Sequence, residues 1–159
     1  MAVKKKRPKT STRTSRDAIS ILKADHRQVA QWFSEFEKSK GVARKRSLAN
    51  KICDALTGHM KVEEEIFYPE FLKATGDKDT HHEAEVEHSG AKNLLSQIQK
   101  SSPSDDYFDS KVHVLSEMIK HHVKEEEQRG GMFAEAKRSD MDLQALGRKI
   151  AARKRELSP

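Results

Sequence analysis

Apolar side chains recur three and four residues apart along most of this chain, a spacing that predicts amphipathic helices. Between Arg16 and Ser39 the stripe is Ile19, Leu22, His26, Val29, Phe33 and Phe36. A helix advances about 100° per residue, so these positions share one face. Gly41 is a stop signal. A second helix is expected from Val42 to Ala74, turning Leu48, Ile52, Ala55, Leu56, His59, Val62 and Ile66 inward. Pro69 should bend or end it, because proline lacks an N–H and crowds the preceding turn. After Gly76 and Asp77, a third helix from Thr80 to Lys100 aligns Ala84, His88, Ala91, Leu95 and Ile98. Ser102-Pro103 reads as a capped start for a fourth helix. That helix reaches Gln128, with Leu115, Met118, Ile119, His122 and Glu126 inside. Gly130-Gly131 breaks the pattern, and Ser139 is expected to cap a last short helix carrying Leu143, Leu146 and Ile150 against the bundle.

No segment alternates as a half-buried strand does. The fold class is therefore all-α, an up-down-up-down four-helix bundle. Residues 1–15 are expected to be a disordered basic tail, 16–136 the bundle, and 137–159 a C-terminal helix with a basic tail. Composition agrees: hydrophobic and charged residues each make up 35% of the chain, with seven Gly and four Pro. The single Cys53 excludes an internal disulfide framework and a cysteine-based zinc site. No secretory leader or membrane span is apparent, so a cytoplasmic location is expected. The net charge of +6 is unevenly spread. Residues 1–16 carry +7 and residues 148–159 carry +4, which leaves −5 on the body. Such a basic tail suits weak attraction to phosphate backbones or another anionic surface. Without interleaved aromatics or a reading helix, it lends no support to sequence-specific nucleic-acid binding.

The inner stripes contain groups that apolar cores avoid. His59-Met-Lys-Val-Glu63 and His122-Val-Lys-Glu-Glu126 repeat one pattern at an offset of 63, and His26 and His88 nearly keep the register at 62. The first two helices thus echo the second two, as an approximate two-fold axis would require. A lone His-x-x-x-Glu is usually an exposed pair of small value. Here the histidines sit among Ile52, Leu56, Val62, Leu115 and Ile119, where burial without a purpose would be expensive. Imidazoles and carboxylates together bind first-row metals, and a carboxylate can bridge two ions. The candidate ligands are His26, His59, Glu63, His88, His122 and Glu126, with the two glutamates bridging. His121 with Glu125 is the competing pair on helix four. His81 and His82 stand at a helix start, His113 on a solvated face, and Glu64, Glu65 and Glu127 face outward or support ligands. Trp32, Phe33, Phe36, Phe67 and Phe133 read as packing.

This ordered set resembles the hemerythrin-like, HHE cation-binding family. Asp25-His26-Arg27, the stretch from Leu56 to Pro69 (LTGHMKVEEEIFYP) and that from His121 to Glu127 (HHVKEEE) carry the resemblance. It implies a non-haem, carboxylate-bridged pair of iron ions, with zinc or manganese as substitutes, held by those six residues. It also implies engagement of dioxygen or a related small ligand (a diatomic gas or peroxide), in sensing, binding or storage. Oxygen-carrying members have a further histidine where this chain has Ala84. The resulting coordination position would be filled by water or another ligand, which makes a di-iron oxidase or peroxide-decomposing enzyme the rival reading. A third reading makes the metal structural and assigns the function to the tails.

Overall fold

The computed structural model describes residues 16–158, so the expected basic tail at 1–15 lies outside the described residues. Helices α1 (Ala18–Lys38) and α2 (Val42–Val62) form one antiparallel pair. A π-helical turn, Glu63–Phe67, carries α2 on into α3 (Tyr68–Thr75). The second pair is α4 (Lys78–Gln99) and α5 (Phe108–Glu127), followed by the short α6 (Met132–Arg138) and by α7 (Leu143–Leu157). No strand occurs among the described residues. Helix α1 packs on α2 and α5, and α4 on the same two, so the four long helices close a ring.

Two apolar clusters fill that ring. One is built around Phe33, Phe36, Leu48, Ile52, Leu95, Phe108 and Leu115. The other, at the opposite end, contains Leu22, Val62, Phe67, Phe71, Phe133 and Ile150. Between them lies a layer of buried polar side chains, each contributed by a helix whose neighbouring turns are apolar. Every residue of the stripe expected on α1 is buried. On α2 the stripe holds as far as Val62.

Three expectations need correction. Pro69, expected to bend or end its helix, does not end it, and the helical run goes on to Thr75. The π turn inserts an extra residue just before it, and the Tyr68 N–H reaches back five residues to the Glu63 carbonyl. That shift puts Phe67 and Tyr68 in the core and leaves Ile66 half-buried. The fourth helix begins at Phe108, not at Ser102-Pro103. There the Asp105 carboxylate accepts the Ser102 N–H at 2.8 Å, a local side-chain bond that favours turns over helix. Finally, Asp142 caps α7 by accepting the Ala145 N–H at 2.9 Å, whereas Ser139 closes α6. Helix α7 lies so close to the start of α1 that a Cβ on Gly147 would come 2.3 Å from the Arg16 carbonyl oxygen.

Candidate metal centre

The buried layer is a cage of six side chains in two matching halves. In one, His26 Nε2 stands 3.1 Å from His59 Nε2 and 3.3 Å from Glu126 Oε1. In the other, His88 Nε2 stands 3.2 Å from His122 Nε2 and 3.4 Å from Glu63 Oε1. The i,i+4 pairs complete the halves, with His59 Nε2 2.8 Å from Glu63 Oε1 and His122 Nε2 3.2 Å from Glu126 Oε1. Each half exchanges a glutamate with the other, so both carboxylates lie across the middle. All six side chains are buried, Glu63 completely. The geometry also separates the competing histidines of α5. His122 points inward, while His121 lies outside and is 59% exposed.

A second ring of carboxylates holds the imidazoles in place. His59 Nδ1 meets Asp25 at 2.9 Å, and His122 Nδ1 meets Glu87 at 2.8 Å. His26 Nδ1 meets Glu127 at 2.9 Å, and His88 Nδ1 meets Glu64 at 3.3 Å. The symmetry extends to this ring. Asp25 and Glu87 each precede an inner histidine in the chain, and Glu64 and Glu127 each follow an inner glutamate. A carboxylate on Nδ1 keeps that nitrogen protonated and turns the Nε2 lone pair toward the middle, the arrangement usual for metal-ligating histidines.

The inner atoms fit a cation. With neutral imidazoles, each half would set two lone pairs against each other at close range, so either protons or metal must lie between them. Both Glu63 oxygens and Glu126 Oε1 are buried without a hydrogen-bond partner, although imidazole nitrogens lie within contact distance. Nitrogen and oxygen atoms so placed are directed at a shared point rather than at each other. Two sets of ligand atoms converge in this way, His26, His59, Glu63 and Glu126 in one and Glu63, His88 and His122 in the other. Burial alone would lower the pKa of His59, but the Glu63 and Asp25 carboxylates outweigh it and lift it to about 10. His122 is likewise lifted against burial to about 11 by Glu126 and Glu87. Burial works to raise Glu63, yet the His59 charge beside it holds its carboxyl well below the usual range. Without metal, protons hold the cage together.

Tyr68 is the member that helical spacing does not reveal. Its hydroxyl donates to Glu126 Oε2 at 2.9 Å and lies 3.2 and 3.1 Å from the Nε2 atoms of His88 and His122. Counted in regular α-helical turns from Glu63 it would point elsewhere; the π turn brings it round. Pro69 and the run of three glutamates were the available signals. Burial and the two inner glutamates push its phenol well above the ordinary value, so it stays a donor. Tyr68 therefore approaches the half-site of His88, one turn along α4 from Ala84. On the opposite half-site Phe133 stacks parallel to His26 at 5.9 Å. His81 touches the Tyr68 ring edge-on, and His113 is exposed beside Glu37. Among the remaining glutamates, Glu65 pairs with Arg153 of α7 at 2.9 Å.

The sequence pattern described as the hemerythrin HHE cation binding domain matches residues 17–130. The chain belongs to this hemerythrin family. Cation binding is the property its description states, and the buried cage falls within the matched residues. A solved structure, that of a hemerythrin HHE cation binding domain-containing protein from Mycobacterium kansasii (a homolog of Rv2633c), is similar over 89% of this chain and 87% of its own. The TM-score is 0.75 at 22% identity, a likeness of fold. A DNA nickase from Nostoc sp. (strain PCC 7120 / SAG 25.82 / UTEX 2576) is 34% identical over 107 residues, or 67% of this chain. The chain spans only 30% of that relative's length. No described helix is long and apolar enough to cross a membrane.

Proposed function

We propose that this hemerythrin-like bundle holds two iron ions and engages dioxygen or a related small ligand at them. The observation that carries the reading is the pair of equivalent half-sites, each with two facing Nε2 atoms and sharing buried glutamate oxygens that have no other partner. Glu63 and Glu126 would bridge, with His26, His59, His88 and His122 as terminal ligands. When bound, iron supplies redox chemistry and affinity for dioxygen, nitric oxide or peroxide. The chain's part is to exclude bulk water and large guests. An apolar cavity of about 10 Å³ adjoins the four histidines between Val29, Leu56, Ile119 and Val123. That is about the space of one water-sized molecule, which excludes large guests. A cytoplasmic location, where iron and reducing power are at hand, agrees with this reading. Protein purified from iron-supplied cells is expected to contain two iron atoms per chain and to absorb in the near-ultraviolet, with a spectrum that changes on addition of nitric oxide. Retention of iron with no spectral response to any small ligand would leave the metal structural and overturn the function.

Turnover of peroxide is the second reading, and the Tyr68 hydroxyl favours it. The phenol beside Glu126 and the His88 half-site holds its proton at the edge of the cage, where it would serve as a hydrogen-bond donor to a guest. Tyr68→Phe is expected to retain its metal while slowing peroxide decomposition about a hundredfold. An unchanged rate in the metal-loaded variant would remove Tyr68 from the reaction. The nickase activity named for the Nostoc protein is not part of this proposal, because the chain spans only 30% of that relative's length.

A further inference from the structure

The two half-sites match closely at their ligands but not at their outer approaches. Asp25, behind His59, pairs with the ammonium of Lys154 of α7 and faces a groove made basic by Lys154, Arg16 and Arg155. Its counterpart Glu87, behind His122, faces an open cleft of about 150 Å³. Glu83, Glu125, Glu135 and Asp77 line this cleft, and His122 and Glu126 form its floor. Glu87 spans two shells, with Oε1 2.8 Å from His122 Nδ1 and Oε2 3.2 Å from His121 Nε2. Where the first half has an ammonium that repels cations, the second has an imidazole that can bind one.

Glu83 and Glu87 of this lining and the exposed His121 next to Glu87 bring three ligand atoms within 4.8 Å of one another. The cleft reaches the cage itself, because the buried cage residues His122 and Glu126 are part of its lining. We propose that Glu83, Glu87 and His121 form an outer site for a divalent transition metal, from which the ion passes along the carboxylate-lined cleft into the buried cage. The mixture of imidazole and carboxylate suits a first-row ion better than magnesium or calcium. Three partly exposed ligands, with water completing the shell, give the weak and exchangeable binding that a loading site requires. Carboxylates around a cleft also raise the local cation concentration and so the rate of capture. The inference rests on the buried cage being a metal centre, and it adds the route by which metal arrives.

The test uses cobalt(II) alone, with metal-free full-length protein and a variant carrying Glu83→Gln and His121→Ala. Both changes are at the surface and outside the cage. Uptake is followed in a stopped-flow instrument by the visible absorption of bound cobalt, and cobalt is counted after free metal is removed. The variant is expected to fill its cage to the same tightly held count about tenfold more slowly. In equilibrium dialysis with free cobalt present, wild type with a full cage should bind one extra, weakly held ion that the variant does not. Equal uptake rates, or no extra ion in wild type, would overturn the outer site while leaving the cage intact. If wild type takes up no cobalt at all, the buried centre fails, and the outer site with it.

Discussion

Each inner histidine answers to two acids, and this makes proton and metal alternatives. The folded, metal-free protein lifts His59 to about 10 and His122 to about 11 against an ordinary value near 6.5. Raised imidazoles stabilise the fold fully below pH 6.5, and that contribution is lost as pH climbs through about 10. At pH 7 both are charged without metal and must be neutral to ligate it. Loading the metal-free protein near neutrality is therefore expected to release about two protons per chain, measurable by calorimetry in buffers of different ionisation enthalpy. Affinity should then rise steeply with pH, by up to about a hundredfold per unit between pH 6 and 8. Uptake with no proton release would mean that these imidazoles are not the ligands. The inner six residues were legible in the sequence because four histidines and two glutamates occupied stripes otherwise filled by leucine, isoleucine, valine and phenylalanine. Tyr68 was not, because one extra residue after Glu63 changes the phase of everything that follows. Asp25 and Glu87 were also hidden as supports, since each serves the histidine of a neighbouring helix.

Helix α7 acts as a clamp on the outer ring. Its Lys154 grips Asp25, which holds His59, and Arg153 grips Glu65 within the π turn. The residues that spacing alone read as a basic C-terminal tail thus belong to a helix that supports the cage. Lys154→Met keeps most of the side chain's packing and removes its charge. Its metal affinity, measured by competition with a chelator, is expected to fall about tenfold, because Asp25 loses the partner that fixes it. An unchanged affinity would show that the clamp is only structural. Long regular elements were read well from sequence and their ends less so. At Ser102-Pro103 the signals of a helix start were present, but Asp105 competes for the same backbone and a loop forms instead. The helical run expected from Val42 to Ala74 reaches Thr75, but as two α-helices joined by a π turn that spacing did not reveal.

Viewed whole, the molecule is a polar layer between two apolar clusters, repeated about an approximate two-fold axis. That repetition extends through the ligands and their supports, then stops at the surface. One approach is basic, with Lys154 and Arg155 beside Asp25, and the other is acidic, with Glu83, Glu87 and Glu125 between α4 and α5. Cations and small apolar guests would therefore reach the cage from different sides, through the carboxylate cleft and the narrow apolar cavity respectively. The most direct test is anomalous X-ray scattering at the iron edge from crystals of the iron-loaded protein. Two peaks about 3.5–4 Å apart, flanked by Glu63 and Glu126 with a pair of histidines on each, are expected. A single peak, or iron bound anywhere other than between those glutamates, would contradict the dinuclear reading.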